Sequence, residues 1–521
     1  MSRTVSPLAG VVGALVVVEA TSGVIQGYYT PLLSDVARHL DINDAQVNWF
    51  EAAQLLLSAI VVPLLARLGD IVGHRKVLIG SLAVTAVASW AIAFAPSFWL
   101  FTLVWAIQGF YVVWLPMNVA IIHARARKHP NTAELTRKGA GIIVVALEAG
   151  AIGGALLAGQ FGLLFSDRLW ISLSIPAVFV TIAFFVVLFK VPDPGTRGEG
   201  GIDLAGTVVL SLSLLAITGG LALVRLDGVT MWVVGMILAG GALMWLFVRV
   251  ELGKDEPVID MRLIARPTVW PVVLTSALFG VSVLGAQGPL STFAATDPSE
   301  VGYGLGLDSA NRSYLIGAYV FSLLVGAAVF ARVSRVLAPR HVLMGASAMV
   351  ATGYLLLVPF HGSVAIVATC MVVAGFGSGA LVAALPAMAA AAAPPHQTGV
   401  ATGLTNTTKT LGGAFASAIF ALALASGVDT EQTTAASLTG YQTVWIICGV
   451  TAVGAVIALL TVPKVAFTNA DPDAMGLALE AVGADAVVSG AGPNARRAPR
   501  PRYPGDDGES SEPHGNEQSD R

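Results

Sequence analysis

"IIVVALEAGAIGGALLAG", residues 142 to 159, decides what kind of molecule this is. Its only ionisable group is Glu148, and glycines stand at 150, 153, 154 and 159. A continuous apolar run without period-2 alternation, close to the roughly 20 residues that span a hydrocarbon core, reads as a transmembrane helix. The whole chain has the same solvent preference. Of its 521 residues, 55% are hydrophobic and 12% charged, a balance that water-soluble domains do not approach.

Fourteen such segments can be placed, starting near Leu8, Asn48, Val77, Phe98, Gly139, Leu169, Asp203, Met231, Val269, Ser313, Arg340, Val364, Val400 and Gln442. A strand barrel is excluded, because continuous apolar runs of this length are not alternating strands. The expected fold is therefore an all-α integral membrane protein with fourteen transmembrane helices. Arg3 precedes the first apolar stretch, but no small-residue cleavage site follows before Gln26 and Tyr28, so this segment is expected to be a retained helix rather than a signal peptide. Lys and Arg favour cytoplasmic loops. With the N-terminus inside, the 29 Lys and Arg residues fall in inner loops and termini, except Arg38, Arg168, Arg225 and Arg312 outside and Lys409 within span 13. Both termini are thus expected in the cytoplasm of a multi-pass protein of the cell's inner (plasma) membrane.

Cys370 and Cys448 lie in apolar spans 12 and 14, which argues against a disulfide framework or a metal site. After Pro463 the chain turns polar. A short helix is expected near Asp473 to Val488, and "RRAPRPRYPGDDGESSEPHGNEQSDR" reads as a disordered cytoplasmic tail, since its Pro, Gly, Ser and charge cannot bury enough to fold.

Between spans 2 and 3 lies "ARLGDIVGHRKVLIG", residues 66 to 80. Gly69 and Gly73 permit a tight connection, Asp70 can accept hydrogen bonds at a helix N-terminus, and Arg75 and Lys76 anchor the inner side. Taken alone this could be an ordinary basic turn. In its place after span 2 it resembles the signature loop of the major facilitator superfamily, Gly-x-Leu-x-Asp-Arg-x-Gly-Arg-Lys. Leu68, Asp70, Gly73 and Arg75 match, while Ala66, Ile71 and His74 depart. The resemblance implies that Asp70 and Arg75 take part in a cytoplasmic clasp between helices that helps switch between two states.

Fourteen spans narrow the resemblance to the 14-span drug:proton antiporters of that superfamily. "VEAT" in span 1, "SDVARHLDINDAQVNW" before span 2, "IQG" in span 4, "GIDLAG" opening span 7, "EPVIDMRLIARP" before span 9 and "TGVATGLTNTTKTLGGAF" entering span 13 agree with it. The resemblance, running from about residue 7 to 463, implies a six-helix bundle over 1–190, two extra helices with linkers over 191–267, a second six-helix bundle over 268–465, and a tail over 466–521. Rocking of the bundles around a central cavity would move the substrate.

Ionisable residues within spans cost roughly 2.5 to 3.5 kcal/mol each on insertion scales and are functional hypotheses by default. Glu19, Glu51, Glu148 and Lys409 form the set. Glu19 occupies the acidic position of the family's Asp-x-Thr pattern, with Thr21 as its threonine, and the resemblance implies a protonatable or cation-sensing carboxylate. A carboxylate lining an interhelical cavity can exchange a proton as access alternates, and packing alone is the other reading. In span 5 the family's Gly-Pro and Gly-Gly become Ala149, Gly150, Gly153 and Gly154. The proline is gone and Glu148 has appeared beside the motif, consistent with a second proton or cation site. In span 4 the family places an arginine three residues before the glutamine of "QG", where this chain has Trp105. Coupling is expected to have moved to Glu19 and Glu148, with altered or lost coupling as the alternative.

Gln26, Gln54, Trp105, Gln108, Trp114 and Asn118 in the first half, and Gln287, Tyr314, Tyr319, Asn406 and Lys409 in the second, are candidates for an amphipathic cavity, though each alone is more readily a packing or interfacial residue than a ligand contact. Aromatic faces there could hold cations at about 0.5 to 2 kcal/mol per contact. Lys409 instead favours anionic or zwitterionic molecules unless a carboxylate pairs with it, and it matches a position where the family often has arginine. "NRS" at 311 and "NTT" at 406 fit a glycosylation pattern that is frequent by chance. The sequence has no phosphate-binding loop, no His-Glu-x-x-His run, no Gly-x-Ser-x-Gly elbow and no basic face for nucleic acid. The expectation is a monomeric, proton-driven exporter of small amphipathic or drug-like molecules, not an enzyme, with no ATP, metal or other cofactor. A dedicated metabolite or lipid exporter and a non-transporting membrane sensor are the rivals.

Overall fold

The computed structural model describes residues 7–461 except 128–131, 194, 196–202, 255–256, 258, 335–336, 394–397 and 427–434. The polar tail from 466 and the short helix expected near Asp473 to Val488 lie outside the described residues. Among the described residues every regular element is a helix.

The first half contains α1 (Pro7–Tyr28), α2 (Leu33–His39), α3 (Asn48–Val72), α4 (His74–Ala93), α5 (Phe98–Gln108), α6 (Trp114–Ala126), α7 (Thr132–Leu164) and α8 (Leu169–Lys190). Then come α9 (Leu204–Asp227), α10 (Met231–Leu252) and the single turn α11 (Met261–Ile264). The second half contains α12 (Trp270–Val283), α13 (Gln287–Ala295), α14 (Pro298–Val301), α15 (Ser309–Val333), α16 (Pro339–Leu357), α17 (Val364–Ala392), α18 (Thr398–Ala425) and α19 (Leu438–Leu460).

Each expected span contains a helix, but thirteen helical stretches, not fourteen, are long and apolar enough to cross a membrane. The remaining expected span is α16, which has 19 residues and carries Arg340 and His341 in its first turn. Arg340 turns back to donate from Nη2 to the Leu460 carbonyl at the end of α19, 2.8 Å away.

Three spans read as continuous helices are interrupted, each beside a proline. A 3-10 turn at Thr30–Leu32 separates α1 from α2 at Pro31, and another at Gly109–Val113 separates α5 from α6 just before Pro116. The break between α12 and α13 precedes Pro289 and contains Gly285. Proline removes the amide that would bond four residues back, and glycine lowers the cost of the bend. Pro63, Pro176 and Pro386 remain inside helices. Outside the spans, side-chain caps satisfy free helix-end amides. Asn43 accepts from Ala45 N at 2.8 Å while Gln46 accepts from Asn43 N at 2.9 Å, Asp308 caps α15 through Asn311 N at 2.7 Å, and Ser437 caps α19 through Gly440 N at 3.0 Å.

The two halves repeat one packing scheme. The first and fifth spans pack closely in each: α1 on α7, and α12 on α18. Glycine makes the approach possible, for a β-carbon on Gly23 would lie 1.9 Å from the Leu147 carbonyl oxygen and one on Gly280 would lie 2.0 Å from that of Lys409. Third and sixth spans pair as α4 with α8 and α16 with α19, and second and fourth as α3 with α5 and α15 with α17. The seam between the halves is reciprocal, with α7 against α15 and α3 against α18. The extra helices α9 and α10 pack on each other, and α9 touches both α3 and α18. Their buried Leu210, Leu214 and Phe247 join the apolar core of the second half.

Candidate functional site

Glu19 is sealed inside the first half, fully buried on α1. Asn118 on α6 donates to its Oε1 at 2.7 Å, while Oε2 has no hydrogen-bond partner among the described residues. Thr21, its companion in the motif, bonds instead to its own helix at the Val17 carbonyl, 2.8 Å away. Glu19 therefore shares an enclosed polar contact with Asn118 rather than lining an open cavity, and Trp114, four residues before Asn118, is equally buried.

Trp105, where an arginine was expected from the resemblance, is packed in an aromatic cluster. Its ring centroid lies 4.8 Å from Tyr29, 5.6 Å from Phe101 and 5.8 Å from Phe50. Gln54 donates to the Trp105 carbonyl at 3.3 Å, and Gln108 donates to Ser89 Oγ at 2.9 Å and to Tyr29 Oη at 3.2 Å. Ser58 bonds the Gly109 carbonyl at 3.1 Å. These residues were expected around a cavity, and they instead bind α3, α4 and α5 together. Sequence reading missed Tyr29, Phe50, Ser58 and Ser89, whose only sequence signal is residue type, because the helices that unite them are distant along the chain.

Glu148 and Lys409 are placed differently. Glu148 on α7 and Lys409 on α18 are both half-buried, belong to opposite halves, and act electrostatically on each other. One turn before Lys409, Asn406 lines a narrow cavity of about 10 Å³ with Ser58, Val62, Pro63, Thr407 and Thr410, between α3 and α18. Glu51, also half-buried, stays within the first half near Tyr111.

Other cavity candidates do not converge on this pair. Gln26 is exposed and donates to Ser22 Oγ at 3.4 Å, whereas Gln287 donates to the Val283 carbonyl behind it at 2.9 Å. Tyr314 is 57% exposed and meets Gln160 at 3.5 Å. Tyr319 is buried beside Tyr354 within the second half.

In the loop after α3, Gly73 has φ of 106°, a conformation that favours glycine. Asp70 lies in the last turn of α3 rather than at a helix N-terminus, and it pairs with His74 Nε2 at 3.1 Å. The histidine counted as a departure from the signature thus supplies the aspartate's partner. Arg75 does not join them. Its Nε and Nη2 donate to the carbonyls of Val191 and Leu188 at 2.5 and 2.9 Å, satisfying the end of α8. A β-carbon on Gly69 would meet Met117 Sδ at 2.9 Å, and Lys76 is exposed.

At the opposite end a second cluster joins the halves. Arg312, 2% exposed on α15, donates to Asp35 Oδ2 on α2 at 2.7 Å, and Arg38 also pairs with Asp35. Nearby, Ser291 bonds the Thr30 carbonyl at 2.5 Å, Ser309 the Gly159 carbonyl at 3.4 Å and Asn43 the Ala435 carbonyl at 3.4 Å. From sequence Arg312 was read as an outer-loop residue, because a charge at the start of a span looks the same whether it meets water or a carboxylate.

Two matching sets of helices meeting along a reciprocal seam give the layout of a multi-pass membrane protein. The Major Facilitator Superfamily model matches residues 15–417 and 290–484, and the chain belongs to that family. Among its relatives, the cephamycin export protein of Amycolatopsis lactamdurans is 29% identical over 407 residues, covering 77% of this chain and 82% of that protein. The methyl viologen resistance protein SmvA of Salmonella typhimurium is 26% identical over 45% of this chain and 46% of that protein. A uridine/deoxyuridine transporter of Lactococcus lactis is 24% identical over 50% of this chain and 54% of its own length. The crystal structure of the nucleoside transporter NupG shares the fold, with a TM-score of 0.61 at 13% identity, covering 88% of this chain and 99% of that one.

Proposed function

We propose that this chain exports small amphipathic or drug-like molecules by proton antiport, using alternating access. The observation that carries the reading is Glu148, a half-buried carboxylate on a glycine-lined helix at the seam between the halves. An ionisable group at that depth is costly to insert, so a functional return is expected. The sealed aromatic surroundings of Trp105 support relocation of coupling away from that position, with Glu148 as its centre and Glu19 and Glu51 as further carboxylates. The efflux relatives support the direction of transport.

In this reading the chain has fourteen spans including α16, lies in the inner membrane as a monomer, and keeps both termini in the cytoplasm. The Asp35–Arg312 end then faces outward and is closed, while the Asp70–His74 loop faces inward. A proton entering down about 100 mV releases roughly 2.3 kcal/mol, enough for an approximately fiftyfold substrate gradient at about 1.4 kcal/mol per decade. No nucleotide is required.

The test is dye accumulation in a drug-sensitive host expressing wild type, Glu148→Gln or neither, with and without a protonophore. The expected result is lower accumulation with wild type alone, abolished by either Glu148→Gln or the protonophore. Lowered accumulation that survived Glu148→Gln would remove Glu148 from coupling. Relation to a cephamycin exporter favours a second reading, export of one dedicated product. That reading would lead if well-expressed wild type moved no dye but still released protons on addition of a single compound class. Silence in both assays would favour a sensor.

A further inference from the structure

The extra pair of helices carries two buried acids of its own. Glu251, in the last turn of α10, is 2% exposed, and Asp203, which caps α9, has a side chain only 9% exposed. Each carboxyl gives one oxygen to ordinary partners. Asp203 Oδ1 accepts from Gly206 N at 2.9 Å and pairs with the Lys254 ammonium, while Glu251 Oε2 accepts from Ile259 N at 3.1 Å. The other two oxygens, Asp203 Oδ2 and Glu251 Oε1, are buried and find no donor among the described residues. A β-carbon on Gly206 would lie 2.1 Å from Glu251 Oε1 and 2.7 Å from Asp203 Oδ2, so both oxygens border the one space that this glycine leaves open.

Two ionised carboxylates at one buried point repel each other and keep the desolvation cost of both charges. A single proton replaces that repulsion with a charge-assisted hydrogen bond. The partners decide which carboxyl keeps it. Lys254 and the Gly206 amide favour the charged form of Asp203, whereas Glu251 has one backbone amide and no ion-paired lysine or arginine among the described residues. Water can reach the proton, because Glu251 lines a cavity of about 190 Å³ with Lys254, Asp260, Arg262 and Arg266. Of the other charged groups there, Arg262 donates to the Leu252 carbonyl, Asp260 accepts from the amides of Arg262 and Leu263 at 3.0 Å, and Arg249 lies over the Trp245 ring at 4.9 Å.

We propose that Asp203 and Glu251 bind one proton between them, carried on Glu251 Oε1 and donated to Asp203 Oδ2, and that this proton latches the end of α10 to the start of α9. Because Ile259 hangs on the same glutamate, the latch also holds the segment that leads into the second half. Loss of the proton as pH rises leaves two carboxylates in one pocket and loosens all three. In the orientation proposed above this end faces the cytoplasm, so the latch answers to inner pH. The proton site itself stands whether or not the chain exports by proton antiport.

Infrared spectroscopy of the purified full chain reads the proton directly, as a component of the carbonyl band of protonated carboxyls. Wild type should show that component in mildly acidic buffer and lose it in alkaline buffer. Glu251→Gln should lack it, and Asp203→Asn, which replaces the charged acceptor with a neutral amide, should move it. Thermal unfolding reads the latch. A fold that holds a proton which the unfolded chain releases loses stability as pH rises, whereas Glu251→Gln keeps a donor for Asp203 at every pH. The two proteins should therefore unfold at similar temperatures in acidic buffer and diverge as pH rises, with wild type falling further. Glu251→Ala has no donor and should unfold at lower temperature throughout. A carboxyl band indifferent to both Glu251→Gln and Asp203→Asn, or unfolding temperatures of wild type and Glu251→Gln that stay parallel across the range, overturns the proposal.

Discussion

Gly150 and Gly153 lie three residues apart on α7, yet a side chain would meet different surroundings at each. A β-carbon on Gly150 would sit 2.1 Å from the Ala20 carbonyl oxygen of α1, whereas one on Gly153 would meet nothing within 4 Å. Gly150→Ala must push α1 from α7, at about 1 to 3 kcal/mol by analogy with overpacked cores. Gly153→Ala should be neutral or slightly stabilising, because alanine is the better helix former. Thermal unfolding in detergent checks the pair: a clear fall for Gly150→Ala alone is expected, and equal shifts would contradict the α1–α7 contact. Sequence shows that these glycines permit close approach. It does not show which of them does so, since several glycines crowd two helical turns and the partner surface lies more than a hundred residues away. Trp105 shows the same limit. Its identity marks a departure from the family pattern, but of the rings that enclose it only Phe101 is on its own helix, and Phe50 and Tyr29 come from α3 and from the segment after α1.

At the scale of elements, span positions were legible because the hydrocarbon length of a bilayer is written into the chain as long apolar runs. Interruptions were less so: Pro31, Pro116 and Pro289 accompany breaks, whereas Pro63, Pro176 and Pro386 sit in continuous helices. Neighbouring helices decide whether a freed carbonyl is tolerated. The start of α9 illustrates a terminus fixed by charge as well as by capping. Asp203 accepts from Gly206 N at 2.9 Å and pairs with Lys254, which follows α10. Burial pushes its carboxyl up, but the Lys254 ammonium, the Gly206 amide and Glu251 outweigh this and hold it below the usual carboxylate range. A carboxyl whose value is lowered on folding stabilises the fold above its unfolded value, near 3.9, and that contribution is lost as pH falls through the folded value. Asp203→Asn keeps a good helix cap and removes the charge. It should therefore lower the unfolding temperature at pH 7, with the difference from wild type shrinking as the buffer is taken below about pH 4. A constant difference across that range would assign the whole effect to capping.

For the whole molecule, the repeated arrangement of spans gives two matching sets of helices that meet along a shared seam, and one end of that seam is closed by Asp35–Arg312, Ser291–Thr30 and Ser309–Gly159. Two six-helix bundles were implied by the resemblance, but which helices pair equivalently was not visible in the sequence, because the two halves use different residues to make equivalent helix pairs. If rocking moves substrate, holding the closed end shut must stop transport. A β-carbon on Gly162 would lie 3.0 Å from Ser309 Cβ, slightly inside the roughly 3.5 to 4.5 Å that a disulfide requires. A small separation of α7 and α15 would bring it into range. Cys370 and Cys448 are free and buried, so they compete little for oxidation. Gly162→Cys with Ser309→Cys should cross-link under oxidation, lose transport and recover it on reduction, while either single variant should respond to neither treatment. Recovery is the decisive arm, because it separates a locked transporter from one damaged by the crowded Gly162 position, where Leu32 Cδ2 would lie 2.7 Å from the new β-carbon. Full transport with the disulfide demonstrably formed would mean that the seam does not open at this end, and alternating access by rocking of the two halves would have to be abandoned.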